Sequence, residues 1–176
     1  MILLAWMLAD FITGVVHWFE DKYLHEGSRF KFIDGITKDN IKHHNYPHAL
    51  CIGSLWSNIN TSLAITIPLT IVLIYLGAQE VIYLAVAFAS FGNIIHRYSH
   101  EHKRNVPVAI RWIQATGFMI SQCQHGEHHF NETGVIGKDD TTKRYCVMTS
   151  WLNPILDYIN FFGTLEIIIS IVRKRI

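Results

Sequence analysis

Three long apolar stretches alternate with polar, histidine-bearing segments along the chain. They occupy residues 1–19, 59–76 and about 80–95, and the last two are joined by a short turn, Gly77-Ala78-Gln79-Glu80. A helix needs roughly 17–25 predominantly apolar residues to cross a bilayer. The pattern therefore predicts about three transmembrane helices, of which the last two form a hairpin. The first stretch lacks the basic segment and cleavage site of a signal peptide, so we expect it to be retained.

The remaining segments are more polar. Residues 20–58 are rich in histidine and interrupted by glycine and proline, which predicts a loop with short helical pieces. Residues 107–121 mix apolar and polar positions, as expected of an amphipathic helix in the membrane interface. The tail, 155–172, is apolar but carries Asp157, Asn160 and Glu166, and we expect it to lie in the interface instead of forming a fourth span. The pattern predicts one all-α membrane domain over residues 1–176.

The order of the spans brings all the histidines to one face of the bilayer. The first span ends near His17, and the hairpin leaves that face and returns to it, so residues 20–58 and 96–176 meet there. All fifteen lysines and arginines fall in the same segments. By the positive-inside rule this face is cytoplasmic, in the endoplasmic reticulum of a eukaryote or the inner membrane of a bacterium. A spanning tail would carry its terminal Arg173-Lys174-Arg175 across, against the rule.

Composition narrows the class of protein. Half of the residues are hydrophobic and 16% are charged, whereas soluble domains carry about a quarter charged residues. A net charge of +1 gives no basic excess for binding nucleic acid. Three cysteines without a CxxC pair favour a reducing compartment over a disulfide framework. Eleven histidines against fifteen lysines and arginines are the feature that needs an explanation.

Eight of the histidines fall in four short clusters. Helix positions three and four apart share a face, and neutral imidazole is the commonest metal ligand in proteins. An isolated histidine near a membrane interface is usually a solvated or hydrogen-bonded side chain, but four clusters brought to one face are typical of a metal site. The clustered residues are His17, His43, His44, His96, His100, His125, His128 and His129.

Asp21 lies four residues after His17, so it could bind the metal directly or orient an imidazole. The other three histidines, His25, His48 and His102, lack such partners and are expected at the surface. A zinc ion takes three or four protein ligands, so eight imidazoles and a carboxylate suggest two metal ions. Beside a hydrocarbon phase, two irons that activate dioxygen are chemically plausible, but the spacing alone does not distinguish iron from zinc.

The motifs resemble those of the Kua family, which contains plasmanylethanolamine desaturase and the plastid fatty acid desaturase 4-like enzymes. The similarity begins at Ala9-Asp10-Phe11-Ile12-Thr13-Gly14, runs into His17-Trp18 and Asp21, and continues through the other histidine clusters. It ends on Tyr145-Cys146, Trp151-Leu152-Asn153, Asp157 and Leu165-Glu166.

The resemblance implies a membrane-bound di-iron desaturase that uses dioxygen and an external electron donor, a b-type cytochrome or a ferredoxin with its reductase. The substrate would be an intact phospholipid, desaturated as a plasmalogen vinyl ether or as a trans double bond in an acyl chain. The eight clustered histidines and Asp21 would hold the irons. Residues that could orient the ligands are Asp10, Asn153, Asp157 and Glu166; for each, a purely structural role in packing or capping is the alternative.

Other functions remain open. A di-iron lipid hydroxylase would share the chemistry, and a non-enzymatic metal-handling membrane protein or an inactive relative would share the site. Family members usually have another hydrophobic segment before the first span, so we expect this chain to oligomerise or to have an incomplete lipid-facing wall. The segment 131–144 is longer and more polar than usual, which could alter donor docking or head-group recognition.

Overall fold

The computed structural model describes residues 1–129 and 143–174, and this part of the chain is entirely helical, which confirms the predicted fold class. In chain order the helices are α1 (Ile2–Tyr23), α2 (Lys31–Asn45), α3 (Ala49–Ile52), α4 (Leu55–Tyr75), α5 (Glu80–Ala89), α6 (Gly92–His100), α7 (Val108–Ala115), α8 (Gln122–His129), α9 (Leu152–Tyr158) and α10 (Phe161–Arg173).

Two of these helices, α1 and α4, are long and apolar enough to cross a membrane. They correspond to the first and second predicted spans. The predicted third span is two helices, because α5 and α6 meet at a bend of 41°. Helices α9 and α10 together also have the length and composition of a span, but are bent by 52°. At the turn before α5, Gly77 has φ +71°, a left-handed conformation that glycine adopts without strain.

Helix α1 packs against α5 through small side chains. Ala5 and Ala9 on α1 and Ala85 and Ala89 on α5 all lie in one buried cluster. Alanine at such positions lets two helix backbones approach closely, which is how helices associate in membranes. This contact fixes the position of α1 relative to α5 and α6, which together form the second arm of the predicted hairpin.

Helix α4 has no buried residue, and its large apolar side chains, such as Ile67, Ile71 and Ile74, are exposed. It packs against α5 and α6. Helix α4 runs through Pro68 without a break. It is capped at its start by Ser54, whose hydroxyl accepts a hydrogen bond from Ser57 N. An exposed apolar helix of this length is what lipid contact requires.

The segment 145–149 lies along α1 and is held there by two polar side chains. The buried carboxylate of Asp10 accepts hydrogen bonds from Met148 N, at 2.8 Å, and Thr149 Oγ1, at 2.6 Å. Asn153 pairs with both backbone groups of Cys146, at 2.9 and 2.8 Å. The carboxylate of Asp10 thus holds this segment against α1. This is the packing role that the sequence left open as the alternative to orienting an imidazole.

Replacing Asp10 by alanine is expected to lower the thermal stability of the purified protein. Two buried donors would lose their acceptor, at a cost of about 1–3 kcal/mol each, which corresponds to a fall in Tm of roughly 4–24 °C for a domain of this size. A thermal-shift assay in detergent measures the effect, with Glu26→Ala in the exposed loop as the control. An unchanged Tm for Asp10→Ala would show that the hydrogen bonds to Asp10 contribute nothing to stability.

Candidate metal centre

Five buried imidazoles converge in the centre of the protein. Each offers a ring nitrogen, and these nitrogens all lie within 4.8 Å of one another. The closest pairs join Nε2 atoms: His96 to His125 at 2.7 Å, His129 to His125 at 3.0 Å, and His100 to His96 at 3.1 Å. We call this set the five-histidine group; its members are His43, His96, His100, His125 and His129.

Helical spacing explains most of this convergence. His96 and His100 are four residues apart on α6, and His125 and His129 are four apart on α8, so each pair lies on one face of its helix. The sequence allowed His125 to pair with either His128 or His129. In the structure it is His129 that joins His125, and His128 points to a second group.

The second group contains one carboxylate and three imidazoles, and Asp21 is at its centre. Asp21 Oδ1 is 2.9 Å from His44 Nε2, and Oδ2 is 3.2 Å from His128 Nε2 and 3.5 Å from His17 Nε2. One donor atom from each residue lies within 4.8 Å of the others. Asn40 on α2 also donates to Asp21 Oδ1, at 2.8 Å, a contact that no spacing in the sequence indicated. We call this set the Asp21 group.

The two groups adjoin one another. The ring centroids of His17 and His96 are 5.3 Å apart, and those of His44 and His129 are 4.9 Å apart. His43 and His44 are neighbours in α2 but belong to different groups, because successive residues of an α-helix point about 100° apart. Nine potential ligands from α1, α2, α6 and α8 thus form two adjacent sites, each with more than three donors.

Backbone carbonyls orient two of the imidazoles. His17 Nδ1 is 3.1 Å from Tyr145 O, and His128 Nδ1 is 3.1 Å from Lys143 O. A carbonyl can only accept, so Nδ1 carries the proton in both rings and Nε2 keeps its lone pair toward Asp21 and its neighbours. Sequence reasoning missed these contacts, since a backbone acceptor leaves no motif.

Residues 143–146, which supply these two carbonyls, are held in place by side chains from α8 and α9. Arg144 pairs with Glu127, at 2.8 Å, and with Asp157, at 3.1 Å, while Asn153 holds Cys146. Asn153 and Asp157 therefore contact the segment and not the rings. Glu166 accepts from Trp18 Nε1, at 3.2 Å, and pairs with Lys22, at 3.8 Å, which ties α10 to α1.

The chemistry of the five-histidine group fits a metal ion. Among the described residues, both ring nitrogens of His43 and the Nδ1 atoms of His125 and His129 are buried without a hydrogen-bond partner. Burial, and then the neighbouring imidazoles, hold the pKa values of these three side chains well below the ordinary value for histidine. Neutral imidazoles that converge on one point are the form that binds a metal ion.

The remaining histidines behave differently. His25, His48 and His102 are exposed, as expected for surface residues. Seven of the eight clustered histidines are buried and His44 is half-buried.

The polar segment predicted to affect donor docking, 131–144, lies outside the described residues except for Lys143 and Arg144.

A cleft of about 460 Å³ lies beside the two groups, between α1, α2, α4 and the α5–α6 bend. Three of the clustered imidazoles line it, those of His17, His43 and His96. Toward the start of α4 its wall is polar, with hydroxyl and amide side chains. Further along α4 and α5 it is apolar except for Thr66, whose hydroxyl donates to Ser62 O at 2.9 Å. The residues of that gradient are Ser57, Asn58, Thr61, Ser62, Ile65, Leu69, Val86 and Ala89. The cleft suits an amphipathic molecule with a hydrocarbon chain.

Comparison with known proteins gives consistent matches over almost the whole chain. The family profile described as "Lipid desaturase domain" matches residues 6–175. Fatty acid desaturase 4, chloroplastic, of Arabidopsis thaliana is 25% identical over 93% of this chain and 49% of its own length. Plasmanylethanolamine desaturase of Myxococcus xanthus is 24% identical, over 96% of this chain and 59% of its own length. Plasmanylethanolamine desaturase 1 of Mus musculus is 27% identical, over 93% and 62%. The chain thus spans about half to three-fifths of the length of these relatives. No solved structure matches.

Proposed function

This chain belongs to the lipid desaturase family, and from that premise we propose that it is a di-iron enzyme that introduces a double bond into an alkyl or acyl chain of a phospholipid. The observation that carries the proposal is the meeting of two histidine groups with an amphipathic cleft. The family membership is shown by the match over residues 6–175. The proposal itself covers the activity as a membrane-bound oxidoreductase and the use of iron, dioxygen and a phospholipid.

The proposed ligands are the five-histidine group for one iron and the Asp21 group for the other. Nine donors exceed what one ion takes, and imidazole with carboxylate is a ligand set that suits iron. When bound, the two irons would supply the dioxygen-dependent oxidation that removes hydrogen from an unactivated methylene, which acid–base side chains do not perform.

The protein's own contribution is to hold the lipid chain and to exclude water. His17, His43 and His96 belong to the proposed ligands and also line the cleft, so a methylene in the cleft lies next to the metal centre. Val86 and Ala89 give this part of the cleft an apolar wall. The polar end of the cleft, near Asn58, receives the glycerol and head-group region.

We also propose an orientation of the chain in the membrane and the partners with which it acts. We propose that residues 1–176 act as one domain, with the histidine face toward the cytoplasm because lysines and arginines are concentrated there. On that face a b-type cytochrome, or a ferredoxin with its reductase, would deliver electrons. In a eukaryote the membrane would be that of the endoplasmic reticulum, and in a bacterium the inner membrane. A homo-oligomer is compatible with the exposed apolar surface of α4.

Expression in cells that lack lipid desaturases tests the proposal. We expect phospholipids lighter by two hydrogens to accumulate under air and not under nitrogen, and the purified protein to contain about two irons per chain. Lipid mass spectrometry and metal analysis measure these quantities. A gain of one oxygen instead would identify a hydroxylase. Unchanged lipids together with bound zinc would contradict the proposal and favour a metal-handling protein.

A further inference from the structure

Helix α4 forms one wall of the cleft, yet none of its residues is buried. Its position therefore depends on its packing against α5 and α6. On α4, the residues that line the cleft are polar up to Ser62 and, apart from Thr66, apolar from Ile65 onward, so the polar-to-apolar boundary lies after Ser62. Any shift of α4 along its axis would move this boundary relative to His96, which also lines the cleft.

Two polar contacts join the first half of α4 to α6. Asn93 Nδ2 donates to Ser62 Oγ at 3.0 Å, and Arg97 Nη1 donates to Asn58 Oδ1 at 2.8 Å. The two donors are four residues apart on α6 and the two acceptors four apart on α4, so both contacts lie between the same pair of helix faces. We call them the α4–α6 ladder.

Arg97 extends this ladder to the chain before α4. Its guanidinium also donates to the carbonyl oxygens of Cys51, at 2.8 Å, Leu50, at 3.3 Å, and Gly53. Leu50 and Gly53 line the cleft, as Asn58 does. A guanidinium offers five donors in a rigid fork, so one side chain can fix several acceptors where an ammonium cannot.

We propose that Arg97 and Asn93 are positioning residues that hold α4 in register with α6 and thereby determine which carbon of the lipid chain is desaturated. The inference rests on the proposed function. His96 lies between the two in the sequence of α6, so the helix that carries a proposed iron ligand also donates the hydrogen bonds that hold α4. A slip of α4 by one helical turn, about 5.4 Å, would move the cleft's polar boundary by several methylene groups.

The test uses Arg97→Gln, Arg97→Lys, Asn93→Ala and Ser62→Ala in the full chain, with Arg104→Gln at an exposed arginine as the matched control. Hydrogen–deuterium exchange of residues 49–62 needs no activity, and we expect it to rise at least tenfold in Arg97→Gln. Arg97→Lys should give a smaller rise. Iron content should stay at about two per chain in every variant.

The position of the double bond is the second readout. We expect the wild-type protein and Arg104→Gln to give one positional isomer. Arg97→Gln and Asn93→Ala should give a mixture and a KM at least tenfold higher, with kcat changed by less than about threefold. Asn93→Ala combined with Ser62→Ala should add little to either single change, because both remove the same contact.

The outcomes separate the ladder from the proposed function. If no form of the protein makes product, the proposed function fails. If every variant gives the wild-type isomer with an unchanged KM, or if exchange in residues 49–62 does not change, the ladder inference alone is overturned. Loss of iron from Arg97→Lys would also overturn it, since the residue would then act on the metal centre and not on the wall of the cleft.

Discussion

Alanine in place of His125 is expected to abolish detectable product and to lower bound iron from about two to at most one per chain. His125 is fully buried, and its Nε2 lies at the centre of the five-histidine group, 2.7 Å from His96 and 3.0 Å from His129. Loss of an outer-sphere partner of a metal ligand typically costs 10–100-fold in affinity or activity. Loss of a central ligand should exceed the upper end of that range, so we expect a fall of more than about 100-fold.

The matched control is His25→Ala, since His25 is an exposed histidine outside both groups. It should keep the iron content and the activity of the wild-type protein. Thermal stability separates ligand loss from misfolding: His125→Ala should retain a cooperative transition, because the cluster that joins Ala5 and Ala9 to α5 is unchanged. Full iron content and activity in His125→Ala would contradict the assignment of the five-histidine group as an iron site.

The fold follows from the sequence where a single physical signal dominates. Apolar length alone identified α1 and α4, because a bilayer imposes a minimum span. It did not reveal the bend between α5 and α6, since an apolar pattern continues across Phe91 and Gly92 whether or not the axis is straight. In residues 20–58 the glycines predict interruptions of helical structure, yet Gly35 lies inside α2. An interior glycine costs only about 1 kcal/mol in a helix, which packing can offset.

In the site, too, the sequence predicted the contacts that depend on a single physical signal, which here is helical spacing. Four-residue spacing on a helix brought His96 to His100 and left two candidates as the partner of His125. Spacing did not indicate that His43 and His44 belong to different groups, since that depends on how α2 lies against α6 and α8. The carbonyl that orients His17 is 128 residues away in the chain, and the one that orients His128 is 15 residues away. No local pattern in the sequence reports either contact.

Substitution of Asp21 by asparagine is expected to remove one iron selectively and to lower activity at least about 100-fold. Asp21 is the one carboxylate in either group among the described residues, and its two oxygens lie 2.9–3.5 Å from the Nε2 atoms of His44, His128 and His17. An amide keeps the shape of the side chain but loses the negative charge that offsets a cation. The five-histidine group has no such carboxylate and should keep its iron, so metal analysis should give about one iron per chain.

The result also decides between two roles for Asp21. As a ligand, Asp21 is needed for the second iron, and Asp21→Asn should stay at one iron per chain even in excess ferrous salt. As a residue that only orients the imidazoles of His17, His44 and His128, it would affect how the metal is held but not whether two bind. The control is Asp34→Asn, which removes a carboxylate paired with Lys38 on the surface. Two irons per chain in Asp21→Asn, with activity within tenfold of the wild-type protein, would assign Asp21 the orienting role and leave three imidazoles as the second iron's ligands.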